Sequence, residues 1–270
     1  MAVTSDAAGD PSRMAHDRWI DYIEVGPFAV PDVTAVEWVD CVVTEAAAAR
    51  GRPMHVYALH VGGLNARNDR RFVEAMRSAD LVGPDGGSVV WLARLAGARF
   101  VERVPTTDVG WDILRGLAHS LGRDPRVALL GGPPGLAERA GAVVAAGAPV
   151  EVVHTDHGFH EDWDGPLRAL GAAAPDVTLV GLGAPREMIW CQDNRDRLTG
   201  RLVLTCGGWF GHLTGDEQRA PRLLRRSGIE WVARVAQSPR RLAPRYARGL
   251  YSSSVMSMLV LREWSRARRP

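Results

Sequence analysis

The sequence contains no lysine, so all 33 of its cationic side chains are arginines. It also lacks the run of about 18 apolar residues that a bilayer-spanning helix needs, since "VMSMLVL" near the C-terminus is far too short. The opening stretch "MAVTSDAAGDPSRMAHDRW" has no apolar segment typical of a secretion signal. We therefore expect a cytoplasmic protein without a membrane span.

Cysteine is scarce, and Cys41, Cys191 and Cys206 are too scattered to form a CxxC motif. Their odd number indicates buried thiols in a reducing compartment rather than a disulfide framework. The net charge of +2 gives no reason to expect a nucleic-acid partner. With 46% hydrophobic residues over 270 positions, the chain can form a sizeable core.

Short apolar segments alternate with amphipathic ones, which predicts an α/β fold with a mostly parallel sheet and helices on both faces. The predicted strands are residues 55–59, 79–83, 126–132, 149–155, 176–183 and 201–208. The predicted helices are residues 33–50, 70–78, 87–97, 106–122, 135–147, 164–174 and 185–198. Four of the strands are almost continuously apolar, as in a sheet that is buried on both sides.

The pattern changes after about residue 215, where no further strand is evident and arginines mix with aromatic residues. We therefore predict a flexible N-terminus (1–18), an α/β domain (19–215) and a helical, arginine-rich C-terminal appendage (216–270). A basic and aromatic helix suits a membrane surface. The alternative is a helix packed on the sheet with a solvated arginine face, and composition does not distinguish the two.

Four glycine-rich segments follow predicted strands: "GPDGGS", "LLGGPPG", "VGLGAPRE" and "TCGGWFGHLTG". Ligands of open α/β sheets bind beyond the carboxyl ends of the strands, where glycine and helix N-termini suit phosphate. None of the segments has P-loop or GxGxxG spacing, which disfavours P-loop NTPases and ordinary dinucleotide enzymes. A nucleotide or phosphorylated ligand is therefore expected. The candidate contacts are Gly131, Gly132, Gly183, Gly207 and Gly208.

The segment "HTDHGFH" places three histidines, His154, His157 and His160, at intervals of three around Asp156. A metal site is one interpretation. In a strand that runs into a loop, however, this spacing does not keep the side chains on one face, and no second cluster supplies further ligands. We expect a loop near the ligand and no metal. The absence of a GxSxG motif also argues against a serine hydrolase.

Asp85 lies within "ADLVGPDGGSVVW", between an apolar strand and a predicted helix. A carboxylate at this place would cap the helix. A cap does not require Gly86 and Gly87, which make room for a substrate near the backbone. A carboxylate in a cleft can take the proton of an attacking hydroxyl, which is the work of a general base. The residues alone leave both interpretations open.

Several segments in order resemble the WecG/TagA/CpsF family of bacterial glycosyltransferases, from about His55 to Tyr246. They are "ADLVGPDGGSVVWLARLAG", "ERVPTTDV", "LLGGPPGLAERA", "HGFHE", "PDVTLVGLGAPRE", "CGGWFGHLTGDEQRAP" and "GIEWVARVAQSPRRLAPRY". The resemblance implies a Rossmann-like hexosyltransferase that moves N-acetylmannosamine or a related sugar from a UDP-sugar to a polyprenyl-diphosphate-linked sugar. The product would serve cell-envelope polysaccharide synthesis.

The resemblance also implies roles for individual residues. Asp85 would be the catalytic base, with Arg103 and Asp108 at substrate-binding positions, and Pro185 and Glu187 would fall on the family's P-K/R-Q-E signature. The appendage arginines that match the family, some of them expected to meet the acceptor diphosphate, are Arg219, Arg234, Arg240, Arg241 and Arg245. Transfer would be inverting and metal-independent, without a cofactor. The appendage would approach the inner membrane face, and a homo-oligomer is expected.

The chain departs from the family at positions expected to surround the substrate. Tyr57, Ala58 and Leu59 replace a TxN pattern, and Glu187 replaces a glutamine. These changes support an alternative, soluble acceptor, such as a nucleoside or other secondary metabolite. A second alternative is a non-catalytic nucleotide-sugar-binding protein that has kept the fold and lost turnover.

Overall fold

The structure, a computed structural model, describes residues 20–217, Val235 and residues 239–267. Its centre is a six-stranded parallel sheet with the strand order β4-β3-β8-β7-β5-β6, so the predicted α/β class is confirmed. The strands are β3 (Met54–Leu59), β4 (Leu81–Pro84), β5 (Arg126–Gly131), β6 (Glu151–Asp156), β7 (Val177–Gly181) and β8 (Leu202–Thr205). All six overlap with predicted strands.

A short antiparallel hairpin precedes the sheet and was not predicted. It consists of β1 (Tyr22–Val25) and β2 (Phe28–Pro31), joined at a turn where Gly26 has a φ of +61°. Val25, Phe28 and Val30 are buried and join the core on one side of the main sheet. Strands of four residues give little periodicity, which is why the sequence pattern did not reveal them.

Helices cover the sheet on both sides. They are α1 (Ala35–Ala48), α2 (Val61–Asn65), α3 (Arg70–Arg77), α4 (Gly87–Leu95), α5 (Thr106–Leu121), α6 (Leu136–Gly147), α7 (Asp164–Ala172), α8 (Arg186–Asp193), α9 (Trp209–Thr214) and α10 (Pro239–Ala267). The pattern did not indicate α2 and α9, which are short and contain glycine. At the start of α1, Thr34 and Glu37 form a reciprocal capping box, which fixes that helix end.

Side-chain alternation along the strands divides the core into two layers. In β3, Tyr57 and Leu59 face the layer formed with α3, α4, α7 and α8. Met54 and Val56 face the opposite layer, formed with α1, α5, α6 and α9. Burial on both sides accounts for the nearly continuous apolar strands.

The three cysteines are free thiols, as predicted. Cys191 and Cys206 are buried, one in each core layer. Cys41, in α1, packs against the second core layer but is only partly buried. The prediction that all three thiols are buried is therefore wrong for Cys41.

The connections that leave β5 and β7 run in opposite directions along the sheet. The chain passes from β5 outward to β6 at the edge, whereas it passes from β7 inward to β8. Neighbouring strands with diverging connections leave a crevice at their carboxyl ends, where ligands bind in open α/β sheets. This crevice lies between the loops that follow Gly131 and Gly181.

The C-terminal helix α10 packs against the α/β domain in its described part. Gly249, Ser252 and Met256 are buried, and the Ser252 hydroxyl receives a hydrogen bond from Arg67 at 2.7 Å and donates one to Asn65 at 3.0 Å. This part of the appendage therefore packs on the domain, as the interpretation of a packed helix with a solvated arginine face requires. The predicted N-terminal segment 1–18 lies outside the described residues.

The same helix also exposes large apolar side chains. Leu250, Tyr251 and Met258 are 59%, 69% and 54% exposed. Within the described range, no helix combines the length and hydropathy needed to cross a membrane. The helix therefore has one face on the domain and another that carries apolar groups to solvent.

Candidate functional site

Asp85 lies directly beyond the carboxyl end of β4. Its backbone N–H donates to the carbonyl of Leu59, the last residue of β3, at 2.9 Å. Its side chain is partly buried. The carboxylate is therefore held at the carboxyl edge of the sheet, where a ligand of this fold class binds.

Asp85 does not occupy the N-cap position of α4. That position belongs to Gly86, which makes no side-chain capping bond. Gly86 also lies against the neighbouring strand end, since a Cβ there would be 3.3 Å from the Cα of His60. The glycine thus permits close approach of two loops, and Asp85 stands beside them.

Arg103 reaches the same region through a backbone contact. The N–H of Val104 donates to the carbonyl of Pro84 at 3.0 Å, which places Arg103 beside the end of β4. An Arg103 guanidinium nitrogen is 3.6 Å from a carboxylate oxygen of Asp108, in the first turn of α5. The two side chains are 23% and 38% exposed. This ion pair orients a partly accessible cation near Asp85.

Glu187, in the first turn of α8, is completely buried and ties together the loops that follow β7 and β8. Its Oε2 accepts hydrogen bonds from the N–H groups of Gly183 at 3.0 Å and Gly207 at 3.2 Å. Its Oε1 is also buried and has no hydrogen-bond partner in the described part of the chain. Glu187 therefore fixes two of the predicted ligand loops and leaves one polar atom without a partner.

The environment of Glu187 disfavours a negative charge on its carboxyl group. Burial, together with the smaller effect of the Asp85 charge, raises the pKa of Glu187 to about 7 against the lowering effect of the backbone N–H donors. The charge of Asp85, beyond the end of β4, thus adds to the effect of burial on the pKa of Glu187, at the start of α8.

Glycine is needed for different structural reasons at the predicted ligand contacts. At Gly131 a Cβ would lie 2.3 Å from the carbonyl oxygen of Gly181, so close packing of β5 on β7 requires glycine there. At Gly183 the φ is +77° and a Cβ would meet nothing within 4 Å. Gly183 thus borders open space at the crevice, while Gly131 and the adjacent Gly132 shape its floor. Pro185 is the N-cap residue of α8, two positions after Gly183.

The helices that start at this edge offer backbone donors to a ligand. The N-cap residues of α4, α5, α6 and α8 are Gly86, Pro105, Gly135 and Pro185, which make no side-chain capping bond. First-turn N–H groups without an N-cap acceptor, together with the helix dipole, suit phosphate oxygens. These helix starts are therefore candidate contacts for the predicted phosphorylated ligand.

The sequence analysis did not identify two residues at this edge, Glu217 and His212. A Cβ at Gly208 would lie 3.1 Å from a carboxylate oxygen of Glu217. The Glu217 carboxylate is 3.8 Å from Nε2 of His212, whose Nδ1 is 3.0 Å from the Glu217 carbonyl oxygen. The spacing of His212 and Glu217 carried no recognisable signal, because it is the turn after α9 that brings them back over Gly208.

The histidine segment ends β6. Asp156, His157 and His160 could each offer a ligand atom within 4.8 Å of the others. The N–H of Phe159, however, donates to Nδ1 of His157 at 3.1 Å, which places the proton of the neutral ring on Nε2. A metal-bound histidine shows the reverse pattern, with its second nitrogen donating. The hydrogen bonds favour a structured loop, and the absence of a metal stays a prediction.

The appendage arginines are only partly within the described structure. Arg219 and Arg234 lie outside the described residues. Arg240, Arg241 and Arg245 lie in α10, and the Arg240 side chain is exposed. Their predicted contact with a diphosphate stays a prediction.

Two of the departures from the family have side chains that are buried in the core. Tyr57 and Leu59 are fully buried, and the Tyr57 hydroxyl is 3.0 Å from Nδ1 of His55. Their side chains belong to the core layer formed with α3 and α8. Of the changes considered above, Glu187 is the one that stands among the ligand loops.

Comparison with known proteins gives a consistent result. The family model described as "Glycosyl transferase WecG/TagA/CpsF family" matches residues 23–270. An N-acetylglucosaminyldiphosphoundecaprenol N-acetyl-beta-D-mannosaminyltransferase of Bacillus subtilis is 26% identical over 175 residues, which cover 64% of this chain and 67% of the relative. The protein with the same name from Bacillus spizizenii is 26% identical over 181 residues, which cover 66% and 69%.

Proposed function

Since the chain belongs to the WecG/TagA/CpsF family of glycosyltransferases, we propose that it transfers an N-acetylmannosamine-like sugar from a UDP-sugar to a polyprenyl-diphosphate-linked sugar. The printed names of the two Bacillus relatives support this acceptor class. The observation that carries the proposal is the position of Asp85, a partly buried carboxylate at the ligand edge that precedes the N-cap glycine of α4.

The proposed reaction is a direct displacement at the anomeric carbon. The acceptor hydroxyl gives its proton to Asp85 as its oxygen forms the new bond to that carbon. The bond from the carbon to the diphosphate oxygen breaks, and UDP leaves with the bonding electrons. Attack from the face opposite to UDP inverts the configuration, and a carboxylate base in reach of the hydroxyl is what this step requires.

The leaving diphosphate gathers negative charge, which the site is suited to stabilise without a metal. Arg103 is oriented by Asp108, and the N-termini of α6 and α8 flank the crevice between β5 and β7. Fixed donors and cations placed where charge develops lower the barrier most. We assign the acceptor hydroxyl to the side of Asp85 and the leaving diphosphate oxygen to Arg103 beside it, with the rest of the nucleotide extending toward the crevice between β5 and β7.

Helix α10 is proposed to bring the site to a lipid-linked acceptor. Its buried face fixes it to α2, and its other face carries Leu250, Tyr251 and Met258 to solvent, with Arg248 exposed beside them. Apolar side chains can enter the interface while arginines meet anionic headgroups. This arrangement favours a peripheral contact at the inner membrane face.

The alternative of a soluble acceptor has lost part of its support. It relied on Tyr57, Leu59 and Glu187, and the first two are core residues. Glu187 remains, and a soluble nucleoside or secondary-metabolite acceptor is the second candidate on that ground.

The test is a transfer assay with a panel of UDP-sugars. Each is incubated with a polyprenyl-diphosphate-linked N-acetylglucosamine or with soluble acceptors, and UDP release and product are followed. We expect product with the lipid-linked acceptor and no dependence on added divalent metal. Turnover with a soluble acceptor alone would favour the second candidate. Binding of a UDP-sugar without turnover on any acceptor would favour a non-catalytic binding protein.

A further inference from the structure

The carboxyl group of Glu187 is asymmetric in its contacts. Oε2 accepts two backbone hydrogen bonds, from Gly183 and Gly207, while Oε1 is buried and has no partner in the described part of the chain. An ionised carboxylate would leave a charged oxygen without compensation, which is costly in a buried place. A neutral carboxylic acid with its proton on Oε1 removes that charge and keeps both bonds to Oε2.

Three described ionisable groups interact electrostatically with Glu187: Asp85, Cys191 and Cys206. Cys191 lies one turn further along α8, and Cys206 directly follows β8. Burial raises the pKa of both thiols well above the usual value, so they stay neutral at physiological pH. Asp85 approaches from the end of β4, and its charge opposes a second negative charge on Glu187.

We propose that Glu187 is a positioning residue that carries a proton on Oε1, so that Asp85 is the ionised member of this carboxyl pair when the acceptor hydroxyl binds. The inference rests on the proposed function in that it takes Asp85 as the base. The structural part, a proton on Glu187, stands on the complete burial of its carboxyl group and on an Oε1 without a partner among the described residues.

Two consequences follow for the ligand. A neutral Glu187 keeps one negative charge out of a site that must accept an anionic diphosphate. When Glu187 ionises, it repels the diphosphate and also makes Asp85 harder to keep ionised. Because the pKa of Glu187 is about 7, the donor should bind best below neutral pH and progressively less well above it.

The first test measures the dissociation constant of UDP-N-acetylmannosamine by calorimetry between pH 6 and pH 9. Its diphosphate is esterified at both ends and does not titrate in this range. For the wild-type protein we expect affinity to fall by up to about tenfold for each pH unit above the pKa. Glu187→Gln, which cannot ionise, should show a flat profile. The exposed Glu24→Gln change is the matched control and should keep the wild-type profile.

The second test does not require a ligand. Difference infrared spectra report the C=O stretch of a protonated carboxylic acid. For Glu187 this band should be present at pH 6, disappear as pH rises through 7, and be absent from Glu187→Gln. In Asp85→Asn the band should disappear at a lower pH than in the wild type, because removal of the neighbouring charge makes Glu187 easier to ionise.

The outcomes separate the inference from the proposed function. A protonated band that titrates as described, in a protein that binds no UDP-sugar at any pH, supports the proton on Glu187 and contradicts the donor. Absence of the band at pH 6, or identical pH profiles for the wild type and Glu187→Gln, overturns the inference even if the enzyme transfers sugar.

Discussion

The N–H of Val104 donates to the carbonyl of Pro84 at 3.0 Å, and this one bond brings the segment of Arg103 beside that of Asp85. Helix α4 lies between Asp85 and Arg103 in the sequence. The residues next to them, Pro84 and Val104, nevertheless form a backbone hydrogen bond like that between adjacent strands. The ion pair between Arg103 and Asp108 then sets the direction of the guanidinium. The proposed base and the proposed cation thus lie on neighbouring segments that are joined by a backbone hydrogen bond.

Replacing Arg103 should impair catalysis more than folding. We expect Arg103→Ala to lower kcat by roughly 100-fold, the usual effect of removing a donor from the site of developing charge. Steady-state kinetics with the wild type and with Arg168→Ala, an exposed arginine on α7, provide the comparison. Equal kcat values for the two variants would remove Arg103 from the mechanism.

Glu187 should make stability depend on pH in a definite direction. The pKa of Glu187 rises from 4.5 in the unfolded chain to about 7 in the fold, so the folded state binds the proton more tightly. Its contribution to stability is complete below pH 4.5 and is lost as pH rises through 7. Denaturant unfolding should show that wild type loses up to roughly 3 kcal/mol relative to Glu187→Gln between about pH 5 and pH 8.5. A constant difference would contradict the raised pKa.

Gly110 should be intolerant of a side chain. A Cβ at this position in α5 would lie 2.5 Å from the Trp209 ring, which is buried. We expect Gly110→Ala to reduce the free energy of unfolding by about 1–3 kcal/mol, the cost of overpacking a core. The matched control is Gly171→Ala in α7, where nothing lies within 4 Å. That change should stabilise by about 0.5–1 kcal/mol, since alanine is the better helix former.

The exposed apolar face of α10 should determine membrane binding. Replacing Leu250, Tyr251 and Met258 together with serine should greatly reduce co-sedimentation with anionic vesicles and leave the melting temperature nearly unchanged, because these side chains are exposed. Val36→Ser, an equally exposed apolar position on α1, should not reduce binding. Unchanged vesicle binding of the triple variant would contradict the proposed contact.

The sequence predicted the strands of the main sheet because each is an apolar run bounded by loop residues. It did not predict β1, β2, α2 or α9, since segments of only four to six residues carry too little periodicity. The ends of the predicted helices agree with the structure to within two residues, except that α8 ends at Asp193, five residues before the predicted end. Helices on both faces of the sheet were also predictable, because nearly continuous apolar strands indicate that both faces are buried.

The candidate site was predictable only in part. Asp85 and Arg103 came from local motifs and from the family resemblance, and the structure brings their segments together. The Oε1 of Glu187, which has no partner among the described residues, and the effect of the Asp85 charge on it depend on separate loops, so no local pattern contains them. The burial of the Tyr57 and Leu59 side chains in the core was not predicted, because strand alternation does not reveal which of two buried faces a residue occupies.

The most direct test of the central claim is the Asp85→Asn variant in the transfer assay, with donor affinity measured in parallel. Asparagine keeps the size of the side chain and cannot accept the proton of the acceptor hydroxyl. We predict that UDP-sugar binding persists while kcat falls by roughly 100-fold or more, within the usual range for a general base. Wild-type turnover by Asp85→Asn, at unchanged donor affinity, would contradict the assignment of Asp85 as the base.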